Sequence, residues 1–260
     1  MADQTPPAPA SVIAVNGRNW PVRVRGLNFL GHHKCASIWL RDYLTTVAAR
    51  NGLTFAPTHV SDTLPDADIR FLANASYRFV DQQGLRGCHI IRNPMAMVSS
   101  AYFSHRATHP TAGWPQLDAQ REALLATNQD TGMAMTLNFL LRPDFHPHAL
   151  GPLLALQDWD FDDPRFLTLR MEDLVAAPAA RLSVVFAFLG RSDLRLPPDA
   201  AFSFQAVSGG RAAGQIDERS HYRSGNPNDW RNNLPDSVQV MIRTRFRPLL
   251  ERFFPESLMT

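Results

Sequence analysis

Lysine is almost missing from this chain: of 26 lysines and arginines, Lys34 is the single lysine. The remaining basic residues are all arginine, so one position stands apart, where a compact ammonium on a flexible stem can do what a planar guanidinium cannot. Cysteine is scarce too. The two residues present, Cys35 and Cys88, supply neither a disulfide framework nor a four-thiolate metal site, and both read as free thiols of a reducing compartment. Net charge is only +2, too little for a general nucleic-acid binder, which must neutralise many phosphates. No run approaches the ~20 apolar residues of a spanning helix. The first ten residues, MADQTPPAPA, lack the basic start and apolar core of a signal peptide. The expectation is a cytoplasmic protein with no membrane span and a disordered tail over residues 1–10.

What is present is enough apolar residue, 45% of 260, for one full core. The pattern predicts a single α/β domain over residues 11–260: a central parallel β-sheet flanked by helices, P-loop nucleotide-binding-like, with an N-terminal β-hairpin. Asn16-Gly17 between VIAV and RNWPVRV is the hairpin signal. GLNFLG then reads as a strand ending at Gly31, followed by a tight loop and a helix from near Ala36. Further strands are expected at LTFAPT, IRFLA, GCHIIRNP and Phe166–Arg170, alternating with helices. Helical pattern runs over 116–141 with a break expected at 130–132, over 178–189 closed by Gly190, and over 237–253. The stretch 203–233, rich in Gly, Ser, Arg, Asn and Asp, reads as a long functional loop.

In FLGHHKCASIWL a strand meets a helix N-terminus, so backbone amides converge on whatever sits there, a geometry that attracts anions. Lys34 adds a charge and Ser37 a hydroxyl. A nucleoside-triphosphate loop requires Gly-Lys-Ser/Thr with the hydroxyl holding magnesium; here His33 precedes Lys34 and the serine lies three residues on. Nor does a metal-holding acid end a neighbouring strand, since IIRNP carries Arg92. None of the nine histidines stands at a metal-ligand spacing with Cys, Asp or Glu, and no metal site is expected.

HKCASIWL resembles the 5′-phosphosulfate loop of the sulfotransferases that use 3′-phosphoadenosine 5′-phosphosulfate (PAPS), commonly Pro-Lys-Ser-Gly-Thr-Thr-Trp. The departures are His33 for proline, Ala36 for glycine and Ile38 for the second threonine. The resemblance implies donor contacts along His33, Lys34, Cys35, Ala36, Ser37, Ile38 and Trp39. Within them, Lys34 touches the bridging oxygen, Ser37 and the amides hold the 5′-phosphate, and Trp39 packs near the adenine. IIRNPMAMVSSAYFSH resembles the family's 3′-phosphate segment, which assigns that phosphate to Arg92 and Ser100. RSGNPNDWRN resembles Arg-Lys-Gly-x-x-Gly-Asp-Trp-Lys-Asn, implying further contacts from Arg223, Ser224 and Gly225, with Ser224 in place of lysine and Asn228 in place of glycine. FSFQAVSGG resembles the segment that lays an aromatic ring on adenine, here Phe204. FLTLRMEDL resembles the family's Tyr-Glu-Asp-Leu strand, with Met171 for tyrosine.

The implied reaction is sulfuryl transfer from PAPS, with 3′-phosphoadenosine 5′-phosphate (PAP) as product and no metal. The acceptor is an unidentified small molecule or glycan with a hydroxyl or amine. Where the cytosolic family members carry Lys-Thr-His, this chain reads LANAS, so Asn74 stands in place of the usual base. THVSD offers His59 and Asp62 instead; His59 is chosen for its pKa near 6.5, with His32, His33 and His105 as further candidates. The aromatics Phe103, Trp114, Phe139 and Phe145 are candidates to shape the acceptor pocket, or equally to be core. The family's Lys-x-x-x-Thr-Val dimer signature is not found near the C-terminus, leaving the oligomeric state open. Two other readings remain: a P-loop small-molecule kinase, and a degenerate nucleotide-binding member without transferase activity.

Overall fold

The computed structural model describes residues 11–15, 18–22, 26–59 and 63–259, the first two segments by backbone alone. The tail at 1–10, the Asn16-Gly17 turn and Asp62 lie outside the described residues. Strands β1 (Ser11–Val15) and β2 (Arg18–Val22) pair antiparallel, as the hairpin signal requires. The remaining strands, β3 (Leu27–Leu30), β4 (Phe55–Thr58), β5 (Ile69–Leu72), β6 (Gly87–Ile91) and β7 (Phe166–Arg170), form one parallel sheet in the order β4-β5-β3-β6-β7. β3, β5 and β6 are buried along their whole length, which is why they read as mainly apolar runs, with Asn28, Arg70 and His89 as the polar exceptions.

The helices are α1 (Ser37–Asn51), α2 (Tyr77–Gln82), α3 (Pro94–Phe103), α4 (Pro115–Leu125), α5 (Gln129–Phe139), α6 (Pro152–Gln157), α7 (Met171–Ala176), α8 (Pro178–Phe188), α9 (Phe204–Val207), α10 (Trp230–Asn233), α11 (Asp236–Arg245) and α12 (Arg247–Phe253). A π-helical turn, Ser104–Thr108, continues α3. From central β3 the chain crosses to edge strand β4, returns to β5, then passes to the other side of β3 for β6. The two segments leaving the C-terminal ends of β3 and β6 therefore part around a crevice, the place where open parallel sheets bind ligands. The first leads to Lys34 and the second to Arg92.

Three helical expectations need correction. The break expected at 130–132 falls at 126–128 instead, because Asn128 caps α5 by accepting the Thr131 N–H at 2.9 Å. Gly132 belongs to the helix: a Cβ there would stand 2.6 Å from Tyr102, so it allows α5 to press on α3. The helix expected over 237–253 is two helices, α11 and α12, parted at Phe246, since Pro248 has no N–H to continue the ladder. The long loop at 203–233 holds two short helices, α9 and α10. Helix α2 was not foreseen; Ser76 starts it by accepting the Phe79 N–H.

Candidate functional site

The loop joining β3 to α1 is strained in a specific way. Lys34 (φ 69°) and Ala36 (φ 56°) are left-handed, while Cys35 between them is not. Such alternation turns successive N–H groups inward into an anion-binding concavity. The N–H groups of Ala36, Ser37, Ile38 and Trp39 have no backbone acceptor among the described residues, as the first turn of a helix leaves them. Each left-handed non-glycine costs about 1–2 kcal/mol, and glycine, the residue of the resembled motif at Ala36, would avoid that cost.

Arg92, just past β6, donates from Nη1 to the Lys34 carbonyl at 2.7 Å, fastening the two crevice walls together. Its Nε is buried and unpartnered, as is Oε2 of nearby Glu172. Burial lowers the Arg92 guanidinium and raises the Glu172 carboxyl, and each charge opposes the other's shift. Burial, with Arg92 beside it, brings the Lys34 ammonium down to about 7. A crevice that destabilises the two cations Lys34 and Arg92 in this way is prepared for a compensating anion.

The late loop closes the opposite side. Arg223 pairs with Asp229 and lies 3.9 Å over the Phe103 ring, one turn beyond Ser100 on α3. Its guanidinium is lowered by burial and by Arg92, against the pull of Glu218. Gly225 is left-handed (φ 64°), and a Cβ there would meet the Phe204 ring at 2.3 Å, so only glycine lets the two segments touch. Ser224 is buried, its hydroxyl accepting the Asn226 N–H. Trp39 is core rather than open surface: it stacks on Tyr43 and donates to the Phe202 carbonyl at 2.8 Å, which ties α1 to the segment carrying Phe204. Cys35 is likewise buried, its thiol pushed up to about 12.

Comparison with known proteins identifies the family. A model of the sulfotransferase domain matches residues 80–254, well over half of the chain. The chain belongs to the sulfotransferase family. The matched stretch begins after the Lys34 loop, so that loop's assignment rests on its own residues and geometry. The fold is similar to that of mouse sulfotransferase SULT7A1 complexed with PAP (TM-score 0.56, 15% identity, covering 87% of this chain and 86% of that one). It is also similar to retinol dehydratase with androsterone and PAP (TM-score 0.53, 10% identity, covering 90% and 83%) and with retinol and PAP (TM-score 0.51, 10% identity, covering 90% and 84%). No curated protein matches the chain in sequence.

In this sulfotransferase three separate segments meet: the loop with Lys34, Ala36 and Ser37, the β6–α3 segment with Arg92 and Ser100, and the late loop with Arg223 and Gly225. His59 is exposed, with its carbonyl accepting Asn74 Nδ2 at 2.7 Å. Trp114, Phe139 and Phe145 are buried against one another, whereas Phe103 is half-buried under Arg223. Sequence reasoning missed Arg211. Its guanidinium donates to the carbonyls of Gln215, Tyr222 and Arg223 and to Ser220 Oγ, and lies over the Phe204 ring, so it frames the late loop. No sequence signal marks it among so many arginines. Among the described residues no helix is long and apolar enough to cross a membrane.

Proposed function

We propose that the protein transfers the sulfuryl group of PAPS to a hydroxyl or amine of a small-molecule or glycan acceptor, releasing PAP. The observation carrying this reading is the left-handed Lys34 loop with its unpaired N–H groups, fastened to Arg92 and faced by Arg223. In this reading the loop N–H groups and Ser37 hold the 5′-phosphate, and Arg92, Ser100 and Arg223 hold the 3′-phosphate. Phe204 lies against the adenine, with Trp39 supporting it from behind. Sulfuryl transfer asks for an in-line acceptor and stabilisation of charge gathering on the departing phosphate, and a fixed ammonium with fixed N–H dipoles supplies the second. Contacts to the remote 3′-phosphate distinguish PAPS from ATP and add binding energy away from the reacting bond.

A cavity of about 500 Å³, lined by Asn74, Ser76, Gln116, Asp144, His146 and His148 among others, is the candidate acceptor pocket. Its lining, polar on one part and apolar on the other through Pro143, Pro147, Ala149 and Leu150, suits an acceptor with both hydrogen-bonding groups and apolar surface. The two buried, free thiols suit the reducing cytoplasm. Thermal shift tests the donor site: PAP is expected to raise the melting temperature at concentrations where AMP and ATP do not. Equal stabilisation by ATP would turn the reading toward a kinase; no response to PAP would remove it.

A further inference from the structure

Beside Lys34 the fold carries a second array, to which the family resemblance assigns no part in proton transfer. His33, the residue standing where the resembled motif has proline, brings its Nε2 to 2.8 Å from Nε2 of His105. His105 sits fully buried in the π-helical turn, a local widening of the helix often found at functional sites. Arg121 holds that turn in place by donating to the carbonyls of His105 and His109. On its other side, Nδ1 of His105 lies 2.8 Å from Gln120 Oε1, Gln120 Nε2 lies 3.5 Å from Thr136 Oγ1, and the Thr136 hydroxyl donates to the Gly132 carbonyl at 2.8 Å.

A peptide carbonyl only accepts, and this fixes every proton in the chain of contacts. Thr136 must give its proton to Gly132, so its oxygen receives from the Gln120 amide. Gln120 therefore presents its carbonyl oxygen to His105, whose Nδ1 carries the hydrogen. Neutral His105 then has a lone pair at Nε2, and His33 must donate to it from Nε2. What remains is a lone pair on His33 Nδ1. That atom makes no hydrogen bond among the described residues and is not enclosed by protein.

The geometry points to His33 as the proton acceptor of the transfer, with His105 and Gln120 as positioning residues that hold it in the Nε2–H tautomer. The proposal rests on the donor-site reading. The acceptor oxygen's lone pair forms the new bond to sulfur. The bond between sulfur and the bridging oxygen breaks, its electron pair staying on the phosphate of PAP. The acceptor's proton passes to His33 Nδ1 and leaves later to solvent. The groups facing His33 are Lys34 on its own loop, His105 and His109 from the end of α3, and His221 from the late loop, with Trp114 and Phe145 against its ring. Burial above all, with the Lys34 charge beside it, lowers the imidazole below its ordinary value, so it is unprotonated near neutrality, the form a base requires. His59 has no such array: its ring makes no hydrogen bond among the described residues.

Three measurements on the full chain test this. Nitrogen-15 NMR of labelled histidine with PAP bound is expected to show His33 neutral at pH 7 with Nδ1 unprotonated; an Nδ1–H tautomer or an imidazolium overturns the assignment. PAP release from PAPS is then followed with ring-substituted phenols of graded acidity, and with water alone where no phenol is taken. For His33→Asn, measured at saturating PAPS so that any change in donor affinity does not enter, we expect release to fall about a hundredfold, the deficit shrinking toward phenols already ionised at the assay pH. With water, a tenfold fall is the supporting result. Release within threefold of the parent, or a deficit indifferent to phenol acidity, overturns it, as does a comparable loss in His59→Ala. Should the asparagine variant fail to fold, Gln120→Leu keeps His33 but frees its tautomer; about tenfold slower release with mixed tautomers supports the proposal, and parent-like release refutes it. A parent chain that does not bind PAP removes the donor reading instead, a separate result.

Discussion

His32 and His33 each close a 2.8 Å contact between ring nitrogens with a second histidine, His89 for the first and His105 for the second. Their surroundings are opposite. His89 lies flat on Trp159 with centroids 3.6 Å apart, both rings of the pair are buried, and His32 Nδ1 has no partner. Burial alone takes His32 down to about 3, and burial together with His32 takes His89 well below its ordinary value. A pair sealed in this way has nowhere to pass a proton and serves packing. His33, one residue on, opens beside Lys34. The same chemical pair is thus structural on one side of the strand end and available to a ligand on the other, and access is the difference.

The largest effect expected on the open side is from Lys34→Ala. Losing the charge that faces the departing phosphate should slow PAPS turnover about a thousandfold. Because burial already disfavours the ammonium, the melting temperature should hold or rise. Turnover within tenfold of the parent would mean that the open side does not carry the chemistry.

On the sealed side the contrast predicts the reverse. His89→Leu removes the partner of His32 and should lower stability by about 2 kcal/mol, with turnover per folded molecule kept. The pH dependence has a definite sign. The pair is neutral when folded, and free histidine takes its proton near 6.5, so the stability is whole above that value. It is lost as pH falls from about 6.5 toward about 3, since the unfolded chain binds protons the fold refuses. The leucine variant should show a shallower acid limb in denaturant titrations. A turnover loss with stability unchanged would erase the distinction between the two pairs.

That contrast also marks what could be read from sequence. The sheet was legible because β3, β5 and β6 are short, mainly apolar runs, and the crevice because Lys34 and Arg92 follow two of them directly. The histidine pairs were not. His105 lies 72 positions from His33, and no periodicity reports that a π-helical turn will swing it back. Gly132 looked like a helix breaker because a sequence does not show the Tyr102 ring that needs the space. Arg211 is one arginine among many until its carbonyl partners are assembled around it.

A smaller effect concerns protons at Lys34. At about 7 its pKa leaves the free protein near half-charged at neutrality, and a bound anion restores the full charge. PAP binding should therefore take up protons near pH 7, seen by calorimetry in buffers of different ionisation heat. Affinity should be highest below pH 7 and weaken above it, by at most tenfold per pH unit. Affinity independent of pH from 6 to 9 would place Lys34 away from the phosphates.

The smallest effect lies in the turn that follows the two histidines. Ala36 holds a left-handed conformation that costs an alanine about 1–2 kcal/mol, while glycine there would lose about 0.4–1 kcal/mol more on leaving the unfolded ensemble. Ala36→Gly should therefore gain about 0.5 kcal/mol net, raising the melting temperature by about one or two degrees, with PAP affinity within twofold of the parent. Greater stability together with weaker binding would show that the strain at Ala36 aims the loop's N–H groups. Unchanged stability would mean that the left-handed turn is less costly than its dihedral implies, and that His33 is aimed at the crevice by His105 alone.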